Sequence, residues 1–482
     1  MRTINISLSL SLLLVLAGCR LGPKYTRPAV NAPGGYRGQA PALDASANAP
    51  SANAQSSSAQ PSNAQKSLGD EKWWTVFQDE QLQTLIRTAL KNNFDARIAA
   101  ERVIAARAQL GITHADQLPS LGASAALTSV RSEKTSVSPV YRAESGQLAL
   151  NASWELDFWG KYKGATEASR AELAATEWGQ KAVISTLVSN VASAYFQLRT
   201  LDLELEITQK TLQSRQESLR LTKTLADGGS APLMDVRQAE QLVYTASAQI
   251  PTLEKQIEQQ ENYISILLGQ NPGPIDRGKK LTEQVLLPSI PAGLPSELIE
   301  RRPDIRQAEE TLIAANAKIG VAKAAYFPSI SLTGTAGYQS TALTSMFSGP
   351  AGLWSVGPSL AQPIFEGGRI RNNVRLTESQ QRQALLTYQQ TTQGAFRDVS
   401  DALVAYQKSR ETREQQELLT AAAQDAARLS HVRYDAGATA YLEVLTNETN
   451  YFNAELNLSQ ARYSEVLALV QVYNALGGGW QQ

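Results

Sequence analysis

The feature that most constrains this chain is an internal duplication with a period of about 208 residues. Short motifs recur in the same order in both halves: LPS at 118–120 and FPS at 327–329, FWG at 158–160 and FEG at 365–367, MDV at 234–236 and LEV at 442–444, and LG at 268–269 and 476–477. A period this long is that of a half-protein, much longer than a solenoid unit. We therefore expect one structural unit twice, over 73–270 and 271–482.

Each copy ends in two long helical segments. We predict helices over about 161–226 and 231–269 in the first copy and about 369–434 and 439–475 in the second. A helix of about 65 residues would be roughly 100 Å long. Apolar residues recur every seven positions, as in Ile184, Val191, Leu198, Leu205, Leu212 and Leu219. Such heptads indicate left-handed coiled-coil packing, with a plain helical bundle as the alternative.

Two shorter segments precede the long helices in each copy, and their side chains alternate between apolar and polar. Leu148, Leu150 and Trp154 share one face of such a segment, and Gln147 and Asn151 lie on the other. We predict strands at about 118–131, 145–158, 327–340 and 351–364. Their length suits a transmembrane strand of roughly 9–11 residues. A soluble sheet covered by helices is the alternative.

Four strands cannot close a barrel, and an open sheet edge is not viable in lipid. Two copies of the chain would give eight strands, whose side chains would fill the interior. Three copies would give twelve strands and leave an aqueous lumen, so the strands favour three or more copies. The fold class expected is mainly α with a transmembrane β-barrel shared between chains.

The chain begins like a bacterial lipoprotein precursor. An apolar run behind Arg2 predicts a signal peptide over residues 1–18, and Cys19 follows Leu-Ala-Gly as the cysteine of a lipobox would. Acylation of Cys19 would give a membrane anchor, and Arg20 favours sorting to the outer membrane. The alternative is an ordinary secretory signal with an incidental cysteine. Residues 19–72 contain an Ala/Ser/Asn/Gln-rich stretch that we interpret as a tether.

Composition argues against several function classes. The formal net charge is zero and the pI is about 6.8, so nothing indicates a nucleic-acid partner. Two histidines and three methionines leave little material for a metal site. His114 and His431 have no spacing typical of catalysis or metal ligation. We therefore expect no enzyme activity, no bound metal and no cofactor other than the covalent lipid on Cys19.

A family resemblance rests on stretches spread over nearly the whole mature chain. They are Cys19, GPKY at 22–25, RP at 27–28, WW at 73–74, WELDFWG at 154–160, RRPDIRQAE at 301–309, YFPS at 326–329 and ALGGGW at 475–480. With these the chain resembles the TolC-like outer-membrane efflux factors, and most closely their lipoprotein branch.

The resemblance implies a homotrimer with a 12-stranded barrel continuous with a 12-helix periplasmic α-barrel. It also implies an equatorial region built from helical pieces near 270–325 and the termini. The implied function is the exit duct of a tripartite efflux pump in the outer membrane, with a large periplasmic portion. The implied partners are a periplasmic adaptor protein and an inner-membrane pump of the resistance-nodulation-division class.

The resemblance further implies a closed gate at the periplasmic tips, where the loops at 226–229 and 434–437 fall. The matching gate positions are Leu442, Glu443, Asp235, Tyr434, Thr439 and Thr446. The chain departs from the family pattern at Thr439, where one subfamily has arginine, and at Thr446, where aspartate is common. We therefore expect closure by apolar constriction with Glu443 and Asp235. The plainer interpretation is that both acids favour the first turn of a helix.

Two other function classes stay open on the sequence. A lipoprotein spacer built from coiled coils would explain the lipid, heptads and tether, but not the four alternating segments. A duct for type I secretion shares the family geometry.

Overall fold

The computed structural model describes residues 21–37, 67–131, 142–284 and 290–481. Its α-helices and β-strands, in chain order, are α1 (Trp73–Val76), α2 (Glu80–Asn92), α3 (Phe94–Ala115), β1 (Ser120–Arg131), β2 (Arg142–Leu156), α4 (Lys161–Asp227), α5 (Leu233–Leu267), α6 (Pro295–Arg301), α7 (Pro303–Ala324), β3 (Ser329–Ser340), β4 (Gly352–Ala361), α8 (Arg369–Asp435) and α9 (Tyr441–Ala475). The fold is mainly helical with a small antiparallel sheet, and the order of long elements, strand–strand–helix–helix, occurs twice.

The chain divides into two compact units, and both copies contribute to each. The sheet unit comprises the described parts of Met1–Ala29, Arg102–Glu177 and Gln307–Gln389. The helical unit comprises the described parts of Val30–Glu101, Trp178–Arg306 and Gln390–Gln482. The division into compact units therefore does not follow the division into sequence repeats.

The sheet unit contains one four-stranded antiparallel sheet in the order β1-β2-β3-β4. The central pairing, between β2 and β3, joins the two copies and sets Leu148 opposite Tyr338 and Trp154 opposite Leu332. Strands β1 and β4 each have one neighbour in the chain and form the two edges of the sheet.

In the same unit, the extended segment around residues 22–27 lies on α7. Gly22 and Gly320 approach so closely that a Cβ on Gly22 would meet the Gly320 Cα at 2.9 Å. Arg27 forms an ion pair of 2.9 Å with the buried Glu309, and the Asn316 amide donates to the Pro23 carbonyl oxygen at 2.8 Å. Two of the stretches behind the family resemblance, 22–28 and 301–309, are thus contact partners.

In the helical unit the heptad positions of α4 and α5 are buried or half-buried, with Val191 and Leu198 of α4 among the buried ones. Val236, Val243, Ile257 and Ile264 of α5 are all 9% exposed or less. These side chains supply the apolar seam that a seven-residue repeat predicts. Helix α5 is continuous across Pro251.

Asp79 caps the N-terminus of the shorter helix α2. Asp79 accepts from the backbone N–H of Gln81 at 2.9 Å and of Leu82 at 3.3 Å, which satisfies two donors of the first turn. The Tyr195 hydroxyl and the Lys279 backbone N–H also donate to Asp79, at 2.9 and 3.0 Å. This buried carboxylate ties α2, α4 and the segment after α5 together.

Among the described residues, no helix is both long enough and apolar enough to cross a membrane.

Candidate membrane sheet and channel gate

The sheet has one apolar face that is open to its surroundings. The register places these side chains on one face, and each is at least 37% exposed: Leu121, Leu127, Leu148, Leu150, Trp154, Leu332, Tyr338, Trp354, Val356 and Leu360. An exposed apolar surface that covers all four strands marks contact with a membrane or a partner.

The other face of the sheet is polar. Asn151 donates to the Ser124 hydroxyl at 2.9 Å and accepts from Thr335 at 3.2 Å, and Ser331 and Ser359 share a hydrogen bond of 2.8 Å. Small hydroxyl and amide side chains of this kind remain compatible with water. The alternation predicted for β2 therefore extends across the whole sheet, with one face for an apolar medium and one for an aqueous one.

The candidate gate lies in the helical unit, at the two turns that join its long helices. We call the turn between α4 and α5 the first tip turn and the turn between α8 and α9 the second tip turn. Gly229 and Gly437 adopt φ of 73° and 67°, a conformation that glycine takes without steric penalty. The N–H of Ser230 bonds to Leu225 O, and that of Ala438 bonds to Arg433 O, both at 2.8 Å. Both helices thus end in the same glycine-dependent Schellman motif.

Two predicted gate residues from different copies meet beside these turns. The Tyr434 hydroxyl donates to Asp235 Oδ2 at 3.5 Å, a long hydrogen bond. Burial raises the pKa of Tyr434, and the nearby Asp235 carboxylate adds to the shift. Neutral Tyr434 therefore persists as a donor at physiological pH.

Tyr441 was not predicted from the sequence, yet it anchors this region. It is 2% exposed and packs with Ala239 and Val444 in a buried cluster that Leu219 and Tyr434 border. Its ring meets that of Tyr434 edge-on at 5.3 Å. Its hydroxyl lies 3.2 Å from Ser218 Oγ. An aromatic ring at the first position of a long helix was the available signal.

A second polar cluster surrounds Glu443. Arg433 forms an ion pair with Glu443 Oε1 at 3.0 Å, and the Thr439 hydroxyl donates to Glu443 Oε2. Arg433 was also not predicted from the sequence. The second tip turn brings it to Glu443 although ten positions separate the two residues. Thr439 supplies a hydrogen bond where one subfamily has arginine, and the positive charge comes from Arg433.

The other two predicted gate residues stand apart from these clusters. Leu442 is 55% exposed. The exposed Thr446 donates to the Leu442 backbone oxygen of its own helix at 2.8 Å. The structure brings Asp235 to Tyr434, and Thr439 to Glu443; a gate role for Leu442 and Thr446 stays a prediction.

Two further expectations from the sequence concern the lipid anchor and metal binding. Cys19, the predicted lipidation site, lies outside the described residues. Within the described ranges, no group of three or more His, Cys, Asp or Glu side chains is arranged to hold a metal ion.

An exposed apolar sheet face together with paired long helices is typical of a channel subunit. The outer membrane efflux protein family matches residues 85–270 and 294–478. The chain belongs to this family, and it is the outer-membrane component of an efflux pump.

Individual relatives align with this chain over almost its whole length. The cation efflux system protein CusC of Escherichia coli O6:H1 is 35% identical over 97% of both chains. The probable outer membrane lipoprotein SilC of Salmonella typhimurium is 34% identical over 98% of both. The solvent efflux pump outer membrane protein SrpC of Pseudomonas putida is 35% identical over 98% of both. A crystal structure of CusC, 34% identical, superposes with a TM-score of 0.83 over 96% of this chain and 100% of that one.

Proposed function

We propose that three copies of this chain form one duct through the outer membrane, with twelve strands in a shared barrel and twelve long helices in a periplasmic tunnel. The observation that carries the proposal is the sheet, whose apolar face is exposed and whose two edges, β1 and β4, have no second partner strand in the described chain.

Lipid cannot satisfy the hydrogen bonds of an open strand edge, so β4 of one copy must pair with β1 of the next. The strand order makes this pairing antiparallel, as it is within the chain. Three copies are the smallest closed ring that leaves a water-filled interior. The polar face that carries Ser124, Asn151 and Thr335 then lines the lumen.

The gate is assigned to the two tip turns. Asp235, Tyr434, Thr439 and Glu443 hold the helix ends together, and the exposed Leu442 supplies the apolar constriction. Three-fold symmetry would bring three copies of Leu442 and Glu443 around one axis. Separation of these groups opens the duct.

The anchor and the partners complete the proposal. Cleavage after residue 18 and acylation of Cys19 would attach the chain to the outer membrane through lipid. The name of SilC as a probable outer membrane lipoprotein supports this step. The partners are a periplasmic adaptor and a resistance-nodulation-division pump of the inner membrane.

The cargo is proposed only as small molecules that the pump delivers. CusC is named for cations and SrpC for solvents, and this chain is 35% identical to each. Overall identity therefore favours neither substrate class. A polar lumen needs no binding site for its cargo.

Disulfide capture between strand edges tests the assembly. Cysteines are introduced in pairs on the two edge strands, for example Ser124→Cys on β1 with Ser355→Cys on β4, and neighbouring same-face positions are scanned for register. We expect a non-reducing gel of membranes to show a ladder that stops at a covalent trimer. A ladder that stops at the dimer, or no ladder at any register, would contradict the assembly.

A matched control uses the central strands of the same sheet. Asn151→Cys and Thr335→Cys face each other within one chain. This pair should form a disulfide and remain a monomer on the gel.

A further inference from the structure

The duplication places one ion pair at equivalent positions beside each tip turn. In the first copy, Lys223 Nζ lies 3.2 Å from Glu240 Oε1. In the second copy, His431 Nε2 lies 2.7 Å from Glu448 Oε1. Both members of the pair keep the repeat spacing of about 208 residues. Each pair links the end of one long helix to the start of the next.

The two pairs differ in whether their charge can be switched. Lysine stays protonated over the physiological range, whereas histidine changes charge within it. Glu240 is also bound on its second oxygen by Arg237, at 2.6 Å. The equivalent of Arg237 in the second copy is Leu445. The first pair therefore has two permanent cations, and the second depends on one histidine.

Glu448 is poorly satisfied without that histidine. Its side chain is 11% exposed, and its Oε2 is buried with no hydrogen-bond partner among the described residues. Arg215 on α4 also faces Glu448; it is 2% exposed, donates to Leu242 O and lies over the Phe452 ring. A buried carboxylate that loses its charged partner is costly, because neither water nor a new donor replaces the bond.

We propose that the His431–Glu448 pair is a proton-controlled clamp on the second tip turn, and that the Lys223–Glu240 pair is its permanent counterpart on the first. A protonated His431 holds the α8 and α9 ends together. A neutral His431 leaves only a weaker hydrogen bond, and the second tip turn then opens more readily than the first.

The charged surroundings agree with this assignment. The hydrogen bond to Glu448 raises the pKa of His431, burial opposes the shift, and Asp435 on the same helix adds to it. From α4, Arg215 faces Glu448; from α9, Tyr441 lies near Glu448 and is a neutral phenol because burial raises its pKa. His431 also lies four residues before the end of α8, where the helix dipole favours a positive charge.

The direction of the pH effect follows from the raised pKa of His431. The stabilisation is complete below about pH 6.5, the ordinary pKa of histidine, and is lost as the pH rises through the higher folded value. The clamp itself is independent of the gate assignment. Its effect on passage through the duct rests on the proposed function.

Hydrogen exchange of the two tip turns, in the full assembled chain, tests the clamp with an internal reference. Peptides over 228–233 and 436–441 are followed from about pH 5.5 to about pH 8.5 and corrected for intrinsic exchange. We expect the equilibrium constant for opening the second turn to be roughly fivefold larger at the highest pH than at the lowest, while that of the first turn stays constant. Equal pH profiles in the two turns would overturn the proposal.

His431→Lys copies the first clamp into the second copy and is the sharpest variant. It should keep the second turn protected at every pH, whereas His431→Gln should leave it weakly protected at every pH. A persistent pH dependence in His431→Lys would also overturn the proposal.

Histidine-selective NMR gives a readout that does not depend on opening. In a His114→Gln background only His431 remains, and its pKa should lie above that of free histidine. Glu448→Gln should return this pKa toward 6.5; no change would contradict the clamp. If exchange follows pH and single-channel conductance does not, the clamp stands and the gate assignment fails.

Discussion

The first and second tip turns follow the same backbone path but differ in the side chains around it. Each ends a 67-residue helix with a positive-φ glycine and starts a 35-residue helix, with the same hydrogen bonds at each step. Around the first turn, Leu233 and Met234 are 65% and 68% exposed. Around the second, Tyr441 is buried, and Arg433 and Thr439 both bind the Glu443 carboxylate.

This difference shows how a duplicated chain can become asymmetric in function. The turn geometry depends on one glycine and on backbone bonds, so it survives changes elsewhere. The side chains are free to diverge: the second turn has the buried Tyr441 and the Arg433–Glu443 pair, whereas the first has the permanent Lys223–Glu240 pair. We therefore assign the buried aromatic anchor to the second turn, where Tyr441 packs against Ala239 and Leu219 of the first copy.

The largest expected difference between the two turns comes from mutating the first residue of the helix that follows each turn, Leu233 of α5 and Tyr441 of α9. Tyr441→Ala empties a buried site and should lower the free energy of opening the second turn by about 3 kcal/mol or more. Leu233→Ala, at the equivalent exposed position, should change that of the first turn by less than about 0.5 kcal/mol. Hydrogen exchange of each turn measures both. Equal effects would remove the asymmetry on which the account depends.

The turn glycines should behave alike. Gly229→Ala and Gly437→Ala each force an L-residue into a positive-φ conformation, at a cost of about 1 kcal/mol. An added Cβ would meet no heavy atom within 4 Å at either site, so strain and not collision sets the cost. Denaturant-dependent exchange gives the two values. A clear excess at Gly437 would show that the backbones are not equivalent.

A smaller effect is expected from the exposed ion pair at Glu443. Glu443→Gln removes the pair with Arg433, whose side chain is 57% exposed, so the loss should stay below about 1 kcal/mol and shrink in high salt. Exchange of residues 436–441 at low and high salt measures it. Thr446→Ala is the matched control, since the Thr446 hydroxyl donates to the Leu442 backbone oxygen of its own helix, and it should have no salt-dependent effect.

Patterns of long range made much of the fold predictable. The heptads extend over α4, α5 and α9, and the strict alternation in β2 marks a strand with unlike faces. The ends of strands were harder to predict. Strand β2 spans 142–156 where 145–158 was predicted, because the register with β1 decides where pairing begins. Pro251 lies inside a continuous α5, so the helix accommodates it without a break.

The site was less predictable, because it depends on contacts across a turn. Tyr441 was not predicted, because the heptads of the second copy fall on Leu442 and Leu445, whereas the buried positions at this end are Tyr441 and Val444. Arg433 and His431 meet acidic partners on the opposite helix, and nothing in their own segment shows that pairing. The repeat offered a signal for His431: the equivalent residue in the first copy is Lys223, and both residues lie beside equivalent glutamates.

Single-channel conductance in planar bilayers tests most directly whether the second tip turn closes the duct. The double variant Leu442→Ala with Glu443→Ala removes the exposed apolar side chain and the bound carboxylate, and Leu233→Ala with Met234→Ala makes the equivalent change in the first turn. We expect a several-fold rise in conductance for the second-turn variant and little change for its counterpart. Unchanged conductance in the second-turn variant would contradict it.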